Sequence, residues 1–282
     1  MFNYQDKVLM NILEGYFSSP SGNYFWHRKR KEVLKILDNN QQLISNYQNT
    51  KEITFLELGC GQAIDLFLIR NWCQKNSLIW NFIGVEAQPT LLEICNFKKQ
   101  NLQANNVEFI SSDITQKLPF DDGSINLIYC SEVIEHLADP QSFLEEIKRI
   151  LQSEGYLLLT TPNEPNIFQR SYWSKKRYGQ MIENMKSIKI ECEKASLNPE
   201  EVCLYGHISV KKISEWDKIL NDIGFTIVDY GRGATVYGAS FWWDQEWVLG
   251  FRFLLEAIVD ILPKQFNRYL SDQLIALYKI NK

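Results

Sequence analysis

The strongest constraint on the fold is a series of five apolar runs separated by helical segments between residues 53 and 162: "ITFLEL", "WNFIGVEA", "VEFISSDI", "INLIYCSE" and "GYLLLTTP". A strand with one wet face alternates polar and apolar residues. Near-continuous apolar runs instead need cover on both faces, as in a parallel sheet flanked by helices. The intervening "AIDLFLIRNWCQKN", "PTLLEICNFKKQNLQ" and "DPQSFLEEIKRILQ" repeat apolar residues every three or four positions. Pro89 and Pro140 suit first helical turns, and Gly155 suits the stop of the third helix. The pattern predicts an α/β, Rossmann-like doubly wound sheet made by right-handed crossovers. "FTIVDYG" and "QLIALYKI" read as two further strands, with "KISEWDKILNDIG" a helix closed by Gly224. The expected organisation is an N-terminal helical cap over 1–48 and one domain over 49–282. Within that domain, 163–207 is expected to form a helical lid inserted after the fifth strand. An amphipathic helix is expected over 241–265, where Arg252, Glu256 and Asp260 recur at four-residue spacing.

In a doubly wound sheet the ligand lies beyond the carboxyl ends of the strands, where strand order reverses. "FLELGCGQA" puts Gly59 and Gly61 at that place, where absent Cβ atoms allow unusual backbone angles and close approach of a ligand. A nicotinamide fingerprint would want a third glycine at Ile64, and a phosphate-binding P-loop would want GK followed by Ser or Thr. Neither is present. Glu57 at the strand tip repels a pyrophosphate and attracts an ammonium or sulfonium group. Glu86 closes the second strand in "GVEA" with Ala87 beside it, suited to accepting hydrogen bonds from a ribose diol. Asp113, closing "SSDI", suits an exocyclic amine, and Ile114 suits the face of a flat base. Three acids on three successive strand tips are a more specific signal than the glycines.

In order and spacing, "FLELGCGQA", "GVEA", "SSDI", "INLIYCSEVIEHLADP" and "LQSEGYLLLTTPNEP" resemble the motifs of class I S-adenosylmethionine-dependent methyltransferases. The flanking "YFWHRKRKEVLKIL" and "GHISVKKISEWDKILNDIGF" are similar to segments of the small-molecule branch that includes the ubiquinone-pathway type. The resemblance implies a seven-stranded sheet with an antiparallel last strand and S-adenosyl-L-methionine as cofactor. It places Glu57, Gly59, Gly61 and Ser131 around the methionine half of that cofactor, Glu86 and Ala87 at its ribose, and Asp113 with Ile114 at its adenine. Ala63 stands where the family has a third glycine, a replacement expected to cost little. Arg30, in the cap, is a candidate for the cofactor's carboxylate.

Methyl transfer from a sulfonium needs alignment and exclusion of water more than covalent help. An acidic acceptor must still lose a proton, and His136 and His207 are the candidate bases. His27 reads as a surface residue. Glu132, Glu135, His136 and His207 also resemble the metal site of small-RNA 2′-O-methyltransferases. The expectation here is no metal and a small-molecule acceptor, methylated at oxygen. The formal net charge of −4 disfavours nucleic acid as a partner. The alternatives are that RNA enzyme, a nicotinamide-dependent oxidoreductase and a non-catalytic cofactor-binding regulator. Arg170, Lys175, Lys176 and Arg177, among aromatic residues of the lid, read as a solvated face or an anion grip. The helix near the C-terminal end suits core packing, an apolar substrate, a dimer surface or a peripheral membrane contact. Six cysteines without a CxxC pair, and no signal-like N-terminus, lead to the expectation of a cytoplasmic location.

Overall fold

The computed structural model describes residues 20–45, 53–163, 209–234 and 246–281. The N-terminal helix α1 (Pro20–Ser45) precedes β1 (Ile53–Leu58), α2 (Ile64–Lys75), β2 (Trp80–Glu86), α3 (Pro89–Asn101) and β3 (Val107–Ser111). Then follow β4 (Ile125–Ser131), a 3-10 turn (Ile134–His136), α4 (Pro140–Ile150) and β5 (Leu151–Pro162). The last part holds α5 (Ile213–Ile223), β6 (Phe225–Tyr230), α6 (Glu246–Ile261), the short α7 (Lys264–Asn267) and β7 (Gln273–Ile280). The expected lid over 163–207 lies outside the described residues apart from Asn163.

The seven strands form one sheet in the order β3-β2-β1-β4-β5-β7-β6. β1 to β5 pair in parallel, and β7 runs antiparallel to both β5 and β6. Alternate residues of β1 enter opposite cores. Leu56 and Leu58 pack in the layer that holds Phe143 and Ile147 of α4 and Trp216 of α5. Phe55 packs with Trp80, Phe82 and Tyr129 in the layer that holds Val33, Ile36 and Leu37 of α1 and Leu66 and Ile69 of α2. Strand order reverses between β1 and β4, so the crevice opens at their carboxyl ends. Capping follows the expected chemistry. Asp139 accepts from Ser142 N (3.1 Å) ahead of Pro140, and Gly224 ends α5 at φ 112°.

Two sequence expectations are corrected. Gly155 does not stop a helix, because α4 gives way to β5 four residues earlier, at Leu151. It sits in an irregular stretch where pairing jumps from Ile125–Leu151 to Leu127–Tyr156, and a Cβ there would meet Gln152 O at 3.0 Å.

The second correction concerns α6. It is amphipathic, but an acid, Glu256, lies on its buried side, with Asp260 at the edge of that side. Glu256 is buried against the buried Arg232 (2.6 Å), and Asp260 is gripped by Arg28 (2.5 Å) and Arg232 (2.6 Å). Burial would raise the Asp260 carboxyl, but these two guanidinium groups outweigh it and hold it at about 2. Leu254, Ile258 and Ile261 face outward, Ile261 at 84% exposure. Charge pairing at Glu256 and Asp260, together with the buried Val259, therefore seats the described part of this helix. Among the described residues no helix is long and apolar enough to cross a membrane. Replacing Arg232 with Met leaves Glu256 buried without its cation. Urea unfolding is expected to show a loss on the order of 3–5 kcal/mol; a loss under about 1 kcal/mol, the range of an exposed pair, would contradict this seating.

Candidate active site

β1 ends in a turn with φ values of 66° at Gly59, 53° at Gly61 and 54° at Ala63. The two glycines serve different ends. A Cβ on Gly59 would lie 2.7 Å from Val133 Cγ2, so this glycine lets the turn pack against the segment after β4. A Cβ on Gly61 would meet no heavy atom within 4 Å, so its face is open. Ala63, expected to cost little, holds a left-handed conformation that costs a non-glycine residue about 1–2 kcal/mol. Its buried methyl group packs in the core layer behind α2.

Glu57 is 4% exposed, and its Oε2 has no hydrogen-bond partner among the described residues. Burial first, then the neighbouring Asp65, push its carboxyl well above the usual range. Glu86 is held in place: Oε2 accepts from Gly61 N (2.8 Å), and Oε1 from Ala87 N (2.9 Å) and Gln88 N (3.0 Å). A carboxylate offers about four acceptor sites, so one direction remains for a ligand hydroxyl. Asp113, exposed beyond β3, uses Oδ1 to accept from Thr115 N and Thr115 Oγ1, both at 2.8 Å. Ile114 packs part-buried against the core edge. Because β3, β2, β1 and β4 are neighbours, these residues line one continuous rim.

Helix α1 closes one side of the crevice. Lys29, 1% exposed, donates to Ser131 Oγ (2.6 Å) and pairs with Asp65 Oδ2 (3.0 Å). Arg30 Nε donates to Asp65 Oδ1 at 2.5 Å, and Tyr129 OH to Asp65 Oδ2 at 3.1 Å. Burial would raise Asp65, yet Lys29 and Arg30 hold it at about 2. Arg30 is thus committed to Asp65, and Lys29 is the cation beside Ser131. Lys29, Asp65, Thr160 and Gln273 escaped the sequence reading. One signal was available for Lys29: it lies one turn before the buried stripe Val33, Ile36, Asn40 and Ile44.

From Ser131 the polar chain continues away from α1. Thr160 Oγ1 lies 3.0 Å from Ser131 Oγ and 3.0 Å from Glu132 Oε1, which also accepts from Gln273 Nε2 (2.9 Å). Glu132 holds φ 55°, a strained backbone that turns its side chain onto these partners. Burial raises its carboxyl against the pull of Lys29, Thr160 and Gln273. Glu135 is fully buried, accepts from Thr161 Oγ1 (2.9 Å), and is pushed up to about 9 by burial and by Glu132. His136 Nε2 lies 3.9 Å from Glu135 Oε1, and the ring is 38% exposed. His27 is exposed. His207 and the basic lid residues lie outside the described residues. Among the described residues no group of three His, Cys, Asp or Glu side chains is arranged to hold a metal ion.

A family described as "Methyltransferase domain" matches residues 49–224. The chain belongs to the S-adenosylmethionine-dependent methyltransferases. It is 37% identical over 108 residues to a probable S-adenosylmethionine-dependent methyltransferase of Mycobacterium tuberculosis, covering 38% of this chain and 35% of that one. A Caenorhabditis elegans sterol 4-C-methyltransferase is 22% identical over 278 residues, covering 93% of this chain and 76% of the relative. An uncharacterised Streptomyces fradiae transposon protein is 32% identical over 38% of this chain, which spans 30% of that relative's length. Among solved structures, a putative methyltransferase in complex with the Haloferax volcanii Trm112 activator superposes with a TM-score of 0.52 at 16% identity. The match covers 89% of this chain and 94% of that one.

The methyltransferase crevice fits its cofactor, S-adenosylmethionine. The unpartnered Glu57 oxygen suits an ammonium, the open face of Gly61 suits close approach by a ligand, and Glu86 keeps a site for a ribose hydroxyl. Gly61→Ala is therefore expected to weaken S-adenosylhomocysteine binding at least tenfold while costing about 1 kcal/mol of stability. Gly59→Ala, which collides with Val133, is expected to cost more stability; the reverse order in calorimetry and melting would contradict the turn's division of labour. A second test concerns pH. Glu135 binds its proton more tightly when folded, so stability is greatest below the ordinary glutamate range near 4.3 and falls as pH rises toward about 9. Glu135→Gln keeps an acceptor for Thr161 and should gain thermal stability over the parent progressively between those limits. A pH-independent difference would show that Glu135 titrates normally.

Proposed function

We propose that this methyltransferase moves a methyl group from S-adenosylmethionine to an oxygen of a small, partly apolar acceptor. The observation that carries the reading is the Glu132 carboxyl, held by Thr160 and Gln273 one residue after Ser131. When bound, the cofactor supplies a methyl group on a positively charged sulfur. The chain must then align the acceptor, exclude water and take up the acceptor's proton. Glu132 is suited to that proton because burial has already raised its affinity for one. Thr160 and Gln273 fix the carboxyl while it changes charge. His136, beside Glu135, and His207 are candidates to pass the proton outward.

The acidic net charge of −4 supports a small molecule over RNA, although a tRNA (guanine-N(7)-)-methyltransferase of Mycoplasmopsis pulmonis is 27% identical over 57% of this chain. An apolar or lipid-borne acceptor is supported by the outward Leu254, Ile258 and Ile261 of α6. The sterol methyltransferase relative, matching nearly the whole chain, points the same way.

Incubation with methyl-labelled S-adenosylmethionine and fractionated cell extract is expected to place label in solvent-extractable small molecules as a methoxy group. Label confined to RNA, or on carbon, would contradict the reading. On the acceptor so found, Glu132→Gln should lower kcat by about 10²–10⁴-fold without weakening S-adenosylhomocysteine binding; a variant within about threefold of the parent would remove Glu132 from the chemistry.

A further inference from the structure

Half of the Gln273 amide is used and half is not. Gln273 opens β7 opposite Pro162, the last residue of β5, so it stands at the carboxyl ends of the parallel strands on the sheet face that carries Thr160. Its backbone is fixed on both sides: Gln273 N donates to Ser271 Oγ (3.2 Å), which donates in turn to Gln273 O (2.6 Å). The side chain is 1% exposed, and its Nε2 donates to Glu132 Oε1. Its Oε1 is buried and has no hydrogen-bond partner among the described residues. A buried acceptor left in this way is destabilising until something supplies a donor.

The chemistry of Glu132 decides which end of the amide faces it. A carboxylate only accepts hydrogen bonds, so Gln273 must offer it the NH₂ end and turn its oxygen away. Thr160 Oγ1 and Gln273 Nε2 both end on Glu132 Oε1, which leaves Oε2 for the proton of the methyl acceptor. Glu132 is half-buried, and a molecule seated on its Oε2 is a close neighbour of the Gln273 amide. While Glu132 is ready to take a proton, the group beside it is therefore a second hydrogen-bond acceptor. A hydroxyl or amine next to the reacting hydroxyl satisfies that oxygen. A carbonyl, an ether or a bare carbon leaves it buried and unpaired.

We infer that Gln273 is a specificity-determining residue that reads a second hydrogen-bond donor on the acceptor, next to the hydroxyl whose proton goes to Glu132. The acceptor class narrows to compounds with two neighbouring donors: a diol, a pair of adjacent phenols or an amino alcohol. The inference rests on the proposed transfer to oxygen with Glu132 as base, and it adds what the acceptor must carry beside that oxygen.

The test starts from the methoxy product isolated from the labelled extract and its unmethylated parent, both identified by nuclear magnetic resonance. The parent is expected to carry a hydroxyl or amine at the position next to the methylated oxygen; a lone hydroxyl, or one flanked only by carbonyl or ether groups, overturns the inference. An analogue with hydrogen in place of that neighbouring group avoids added bulk. Its kcat/KM with the wild-type enzyme should be about 10–100-fold lower than the parent's, the effect of one buried acceptor left unpaired. In Gln273→Met, which keeps the length of the side chain and lacks the amide, the two compounds should differ by less than about threefold, whatever the loss in absolute rate. A merely structural role would lower both rates and preserve their ratio, and that result overturns the inference. If Gln273→Met does not fold, a wild-type enzyme that uses both compounds equally well overturns it. Label on carbon or confined to RNA would instead remove the oxygen-transfer reading beneath it.

Discussion

A pair of acids buried beside the glycine turn, Glu57 in β1 and Asp65 in α2, is the constraint from which the rest of the crevice follows. Glu57 and Asp65 stand on either side of the glycine loop, and neither can be stably ionised there without nearby cations. Asp65 obtains them from α1, an element distant in sequence. Lys29 and Arg30 thus fasten the cap to the sheet, and Val33, Ile36 and Leu37 complete the attachment with apolar contact. Glu57 has no hydrogen-bond partner for Oε2 among the described residues. The fold keeps one acid satisfied and one waiting, an arrangement that favours an incoming cation over water.

A chain of polar contacts also joins the glycine turn to Glu132. Ser131 closes β4, receives Lys29 on one side and Thr160 on the other, and Thr160 reaches Glu132. Two hydroxyl groups, those of Ser131 and Thr160, thus lie between the Lys29 ammonium and Glu132. The left-handed residues Ala63 and Glu132 border this line, and strain of that kind persists only where surrounding packing enforces it. A nicotinamide enzyme would have no use for a buried carboxyl at the glycine turn.

Much of this was legible in the sequence because parallel strands buried on both faces must be apolar throughout, and glycine turns and strand-tip acids follow from the period of the pattern. The five central strands, Pro89 and Pro140 at helix starts, and Gly224 at a helix end are local signals and appear where local chemistry puts them. The rest depends on contacts between distant segments. The β4–β5 irregularity at Gly155 arises from the register of β5 against β4. Lys29 stands among five basic or histidine residues in a row, and only the packing of α1 on the sheet selects it as the buried one. The polarity of α6 was readable, but its direction was not. Whether acids or leucines face inward depends on Arg28 and Arg232, which approach from other parts of the chain.

The central claim is that Glu57 holds a proton more tightly in the unliganded crevice and yields it to answer the cofactor's ammonium. Calorimetry of S-adenosylhomocysteine binding near neutral pH, repeated in buffers of different ionisation enthalpy, measures that proton directly. The account predicts an apparent enthalpy that varies with the buffer, corresponding to release of up to about one proton and abolished in Glu57→Gln. An enthalpy independent of buffer, or a slope that survives the substitution, would contradict it.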